Sequence, residues 1–195
     1  MNTFNTVKPF VVLGERKFPL NNSESKFASV GLCYNWNFAP YIQLSGKKDD
    51  QVVFNESEWK HFLTYRGMIT NYLCSNEAAD SVDAGDFMLE FKQIQSRKVL
   101  KVLKDNSSIY LAYETICTLW ELLPLIRYRV DILQRQQFGN YFRILQKGLQ
   151  GITDPAVSVY NLLQPDENPN SENTSMVLEF LHIHPKIFKQ ELSVV

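Results

Sequence analysis

The side chains of this chain best able to do chemistry are cations and aromatic rings. Lys92, Arg97, Lys98, Lys101 and Lys104 fall within thirteen positions, with Glu90 and Asp105 the acids beside them. Lys47 and Lys48 form a second, smaller basic site in the turn Gly46-Lys47-Lys48-Asp49-Asp50. Ammonium and guanidinium groups in such density neutralise phosphates, and they release condensed counterions when they do so. Aromatic rings complete that chemistry by stacking on unpaired bases, worth ~1–3 kcal/mol per base whatever the sequence. Tyr34, Trp36 and Tyr41 are the candidate stackers. Each set has a plainer reading beside the functional one. The cations suit solvated turns and strand faces, and the rings suit burial against a helix.

Other reactive groups form no recognisable centre. His182 and His184 would lie on one side of a strand as a pair of metal ligands, but no cysteine or third histidine accompanies them. Cys33, Cys74 and Cys117 are widely spaced and match no metal or redox pattern. They are expected as reduced thiols in a nuclear or cytoplasmic setting. No Ser-His-Asp order, glycine-rich phosphate loop or carboxylate pair stands out, so neither an enzyme nor a cofactor is expected.

The elements that must carry these residues follow from periodicity. Ile109–Tyr110–Leu111 reads as a strand running into a helix, where Ile116, Leu119, Trp120, Leu123, Ile126 and Val130 recur at three- and four-residue steps. Gln51–Leu73 does the same earlier. With Trp59 set on Ile116, Val52 falls on Ile109, Phe54 on Leu111, Phe62 on Leu119 and Ile69 on Ile126, at a constant offset of 57 residues. That is an internal repeat. Asn55 and Glu58 have the spacing of a capping box at the first helix start.

Upstream, Phe10–Phe18 reads as a strand, and Phe27–Phe38 alternates with period two as a longer one bearing Tyr34 and Trp36. Tyr41–Leu44 makes a third. In the second copy Phe87–Ile94 and Arg97–Lys104 are strands, so three are visible there against four in the first. Along Arg97–Lys104, Lys98 and Lys104 share one face and Lys101 points to the other. Ser75–Gly85 reads as an acidic linker. Helical character continues from Glu114 through Gln150, with Pro124 inside it and Phe138, Phe142, Leu145 and Leu149 as a further stripe. Residues 155–163 add a further turn or two. Pro165–Ser175 is polar and reads as a disordered spacer. Met176–Phe188 turns apolar again and must dock on its own chain or on a partner.

Both copies resemble the C-terminal domain of the positive cofactor four family of transcriptional coactivators. The resemblance, over roughly 10–133, rests on Gly46-Lys47-Lys48, Val52-Val53-Phe54 and Glu58-Trp59 in copy one. In copy two it rests on the Ile109-x-Leu111 strand, Glu114 and Leu123-Pro124. Copy two lacks the Gly-Lys-Lys turn and has Ile116 in place of the tryptophan. Where the family's second strand carries an arginine, this chain has the uncharged Gly31–Cys33. The resemblance implies four strands and a helix per unit, two units paired through their helices, and a curved sheet surface that grips single-stranded DNA.

Length and charge fit this frame. At 195 residues and 22.6 kDa, with 45% apolar residues, the chain can bury a substantial core. A net charge of −1 means any nucleic-acid grip is local, not global. No apolar run approaches the ~18 residues of a membrane span, and the opening residues have too short an apolar run for a signal peptide.

The expected fold is therefore α+β. Two tandem units of antiparallel sheet plus helix (10–74 and 86–135, joined by 75–85) form an intramolecular pseudo-dimer. A helical extension (136–163) and a spacer with an apolar tail (164–195) follow. The expected function is non-catalytic, single-stranded DNA or RNA binding in transcription or DNA maintenance, in the nucleus or the cytoplasm. A protein partner would dock on the C-terminal tail, and pseudo-dimers could associate further. The alternative is a protein-interaction scaffold that keeps the fold without the nucleic-acid grip.

Overall fold

A computed structural model describes residues 10–47, 50–149, 158–159, 163 and 172–193. The protein is α+β, with two four-stranded antiparallel sheets and helices after each. The first sheet has β1 (Val12–Pro19), β2 (Phe27–Cys33), β3 (Ala39–Ser45) and β4 (Gln51–Asn55) in that order. Helices α1 (Glu56–Thr64) and α2 (Arg66–Cys74) follow. The second sheet has β5 (Val82–Asp83), β6 (Met88–Ile94), β7 (Arg97–Lys104) and β8 (Ser107–Ala112), again in chain order. Then come α3 (Tyr113–Gln136), α4 (Phe138–Gly148), α5 (Glu172–Ile183) and α6 (Pro185–Ser193). The helix after each sheet begins at Glu56 and at Tyr113, which is the offset of the sequence repeat.

The local reasons are visible in the backbone. At the start of α1, Asn55 accepts from the Glu58 amide at 2.9 Å while the Glu58 carboxylate accepts from the Asn55 amide at 2.8 Å. That reciprocal pair satisfies two amides the helix leaves free. Strands β6 and β7 pair from Met88↔Leu103 to Ile94↔Arg97, leaving the two-residue turn Gln95-Ser96. Both turn residues have positive φ, 47° and 65°, the twist that a tight antiparallel hairpin demands. The β7–β8 hairpin turns on Asp105-Asn106 alone, so Ser107 and Ser108 belong to β8.

Several elements differ from the sequence reading. The second strand ends at Cys33, and Tyr34–Trp36 form a short 3₁₀ turn. Asn37 and Phe38 follow with φ of 54° and 60°, a left-handed step that no alternating pattern announces. The third strand starts at Ala39, before the expected Tyr41, and so takes in Pro40. Val82–Asp83 pairs with β6 inside the stretch read as a linker, so the second copy has four strands. The long helix is interrupted at Gln137, φ 46°. Glu172–Ser175, read as part of a spacer, opens α5. The rest of that spacer, residues 165–171, and most of 155–163 lie outside the described residues, as do residues 1–9.

The chain forms two compact units. The larger one gathers Arg16–Val30 and Pro40–Val130. Its core is Ile42, Leu44, Val52 and Phe54 from the first sheet and Leu89, Leu100, Val102, Ile109 and Leu111 from the second. Trp59, Phe62, Ile69, Ile116 and Leu119 join them from the helices. Phe62 lies 5.4 Å from Phe54 and 6.1 Å from Trp120, whose indole nitrogen donates to Thr70 at 3.2 Å.

The smaller unit gathers the described residues up to Glu15, Gly31–Ala39 and those from Asp131 onward. Its core is aromatic. Phe38 packs edge-on to Phe138 at 4.9 Å and Phe142 at 5.4 Å, and Phe180 stands 5.5 Å from Phe188. Burial of these rings offsets the cost of holding Phe38 in a left-handed conformation, about 1–2 kcal/mol.

Candidate nucleic-acid interface

Strand alternation divides the second sheet into two faces, and the register fixes what stands beside what. On one face Leu89, Val102 and Ile109 align in a row, as do Phe91, Leu100 and Leu111. This is the core face. The opposite, outer face carries Met88–Leu103–Ser108, Glu90–Lys101–Tyr110, Lys92–Val99–Ala112 and Ile94–Arg97. Directly opposed residues on neighbouring strands lie ~4.5–5.5 Å apart at Cβ, so each row is a set of touching side chains.

The middle row holds the chemistry. Glu90 pairs with Lys92 at 2.8 Å and with Lys101 at 3.6 Å. The Lys101 ammonium lies 5.5 Å from the Tyr110 ring centroid. The hydrogen bond from Lys92, helped by the Lys101 charge, holds the Glu90 carboxyl below its ordinary value, and Glu90 in turn raises Lys92. Arg97, at the hairpin end, is exposed, as are Met88 and Ile94 at 38% and 46%. Tyr110 is tethered from behind: Lys26 donates to its backbone carbonyl, and burial pushes the Lys26 ammonium down.

The other lysines of β7 are already engaged. Lys98 donates to the Tyr72 carbonyl at 3.0 Å and to the Glu77 carbonyl, and lies 4.3 Å from the Tyr72 ring. Lys104 reaches the Val53 carbonyl at 2.9 Å and the Glu58 carboxylate at 2.6 Å, with 12% of its side chain exposed. Both point to the core side, where carbonyl and carboxylate groups already take their ammonium donors. Their assignment as phosphate contacts is corrected: they hold helices.

The aromatic candidates also part company. Tyr41 is fully buried and offers no ring face to a base. Tyr34 packs 5.3 Å from Phe180, and its hydroxyl donates to Glu191. Burial first, and the Glu191 contact second, push that phenol up to about 12. Trp36 stands half-buried, edge-on to Phe10 at 6.0 Å. Trp36 and Tyr34 lie in the 3₁₀ turn, not on a strand. In the first basic turn Lys47 is exposed, and Lys48 lies outside the described residues.

His182 and His184 fall at the end of α5 and just after it, and among the described residues no cluster of His, Cys, Asp and Glu could hold a metal. Among them, too, no helix is long and apolar enough to cross a membrane.

The structure thus brings together Lys92, Arg97 and Lys101, and adds Tyr110, which the sequence reading did not single out. Its signal was available. Ile109 and Leu111 point to the core, so the residue between them must point out. Comparison of the chain with protein-family models, with curated proteins and with solved structures gives no match.

Proposed function

We propose that the protein is a non-catalytic single-stranded nucleic-acid binder whose grip is the outer face of the second sheet. The observation that carries this reading is the adjacency of Lys92, Lys101 and Tyr110 on touching rows, with Arg97 beyond them. Phosphates track the cations while a base stacks on Tyr110. Lys47, exposed in the first sheet's turn, is a further cation open to phosphate. Transcription or DNA maintenance in the nucleus is the setting this reading favours.

The finer architecture belongs to the same proposal. The two sheet-and-helix copies clasp as a pseudo-dimer, supported by Phe62 and Thr70 of the first copy meeting Trp120 of the second. Tandem copies raise the effective concentration of each half for the other.

Fluorescence anisotropy with a labelled oligo-dT tests the reading. Three phosphate contacts at ~0.7 each give a salt slope near 2, so affinity should fall roughly twentyfold between about 50 and about 200 mM salt. Joint substitution of Lys92, Arg97 and Lys101 by Ala should abolish that dependence. Binding indifferent to both changes sinks the proposal.

The scaffold reading keeps one observation in its favour. Glu90 pairs with two of the three outer cations while Met88 and Ile94 stand exposed. A stoichiometric protein partner, captured after nuclease treatment and lost on changing Met88 and Ile94 to Ser, would support it over nucleic acid.

A further inference from the structure

Trp120 of α3 and Thr70 of α2 fix how those two helices meet. The 3.2 Å hydrogen bond between them, with the Arg66 guanidinium 5.4 Å from the Trp120 ring, sets the helices side by side. One turn onward from Thr70 stands Cys74, the last residue of α2. One turn back from Trp120 stands Cys117. In an antiparallel pair these two steps lead to the same place. Tyr113, one turn before Cys117, marks that place: both thiols stand close enough to its phenol to act on it. Both thiols are free, Cys74 exposed and Cys117 half-buried, whereas Cys33 is buried in the other unit.

We propose that Cys74 and Cys117 are a dithiol pair that closes to a disulfide under oxidising conditions, stapling α2 to α3. Tyr113 is 45% exposed, so its ring can swing to solvent as the sulfurs approach. With oxidised glutathione as the oxidant, the Cys74 thiolate attacks one glutathione sulfur and expels a glutathione thiolate. The Cys117 thiolate then attacks the Cys74 sulfur, forming the protein disulfide and expelling the second. Two cysteine protons pass to the two glutathione thiolates, and two electrons move from protein to glutathione. Exposure makes Cys74 the entry point and Cys117 the resolving thiol.

The neighbouring thiols push the Tyr113 phenol up to about 12, with Cys117 the foremost cause and Cys74 contributing.

The folded full-length chain, incubated with oxidised glutathione and then alkylated, should give a Cys74–Cys117 linked peptide on non-reducing digestion. Cys33 should be alkylated only after unfolding. The oxidised protein should melt about 5–10 °C higher than the reduced one, because the cross-link restricts the unfolded chain, and dithiothreitol should reverse the shift. Cys117→Ser should stop at a glutathione adduct on Cys74 with no rise in melting temperature. A wild-type protein that accumulates that same adduct, or leaves both thiols free, overturns the proposal.

Discussion

The two faces of β7 use the same residue type for opposite ends. Lys98 and Lys104 point to the core side, and each is spent on a helix terminus. Lys98 donates to the Tyr72 carbonyl in the last turn of α2, where the helix presents unpaired acceptors and partial negative charge. Lys104 grips Glu58, the residue that closes the capping box of α1. Arg97 and Lys101 point the other way, and Lys101 pairs with Glu90 of its own sheet. A count of cations along the strand cannot separate these roles, but parity can. What the comparison teaches is that charge density becomes a surface only after strand alternation has been applied to it.

The sharpest way to break the contrast is to carve the same strand on each side. Leu100 is fully buried on the core face, so Leu100→Ala should cost about 2–5 kcal/mol in denaturant unfolding through lost transfer energy and a residual cavity. Leu103 is half-buried on the outer face, and Leu103→Ala should cost no more than about 1 kcal/mol. Equal costs would mean that both faces are core and that the outer one is unavailable to any ligand.

The lysines give the next largest effect. Lys104→Ala leaves the Glu58 carboxylate, itself mostly buried, without its cation, and should destabilise by about 1–3 kcal/mol. Lys101→Ala, at a side chain that is 18% exposed and whose ion pair is the longer at 3.6 Å, should cost less, about 1 kcal/mol or under, while weakening oligonucleotide binding and lowering its salt slope by roughly 0.7. The pair of substitutions is informative because each is silent where the other speaks. A Lys104 variant of full stability with weakened binding would reverse the two assignments.

Much of this was legible from residue order. The alternation Val99/Leu100 to Leu103/Lys104 already separates Lys101 from Lys98 and Lys104. The repeat offset places both helix starts, and Asn55 with Glu58 announces its cap. What was not legible depends on contacts distant in sequence. Tyr34 and Trp36 continue the period-two pattern of β2, but Phe38 finds Phe138, Phe142 and Phe180, residues a hundred or more positions away. That burial turns the backbone left-handed at Asn37 and Phe38 and takes both rings off the sheet. Strand β5 is two residues long and made by pairing with β6 alone, so it has no pattern of its own to read. The approach of Cys74 and Cys117 to one phenol, Tyr113, depends on how two helices meet and is invisible in their spacing.

The smallest expected effect tests the outer face most directly. Glu90 is the one acid on its rows, 2.8 Å from Lys92 and 3.6 Å from Lys101. At neutral pH its carboxylate cancels roughly one of the three cations a phosphate would meet. Glu90→Gln keeps the shape and removes the charge. Oligonucleotide affinity should rise about threefold at low salt, and the salt slope should steepen by up to ~0.7. Stability should answer with the opposite sign. The folded carboxyl sits below its ordinary value of 4.5, so its pairing stabilises the native state above that pH and is lost as pH falls through the lower folded value. The variant should therefore be slightly less stable at neutral pH and show a shallower loss on acidification. The side chain is partly exposed and screened, so both changes should be small. If affinity instead stays unchanged while a protein partner lets go, the acid, not the cations, is what the outer face presents, and the scaffold reading takes precedence.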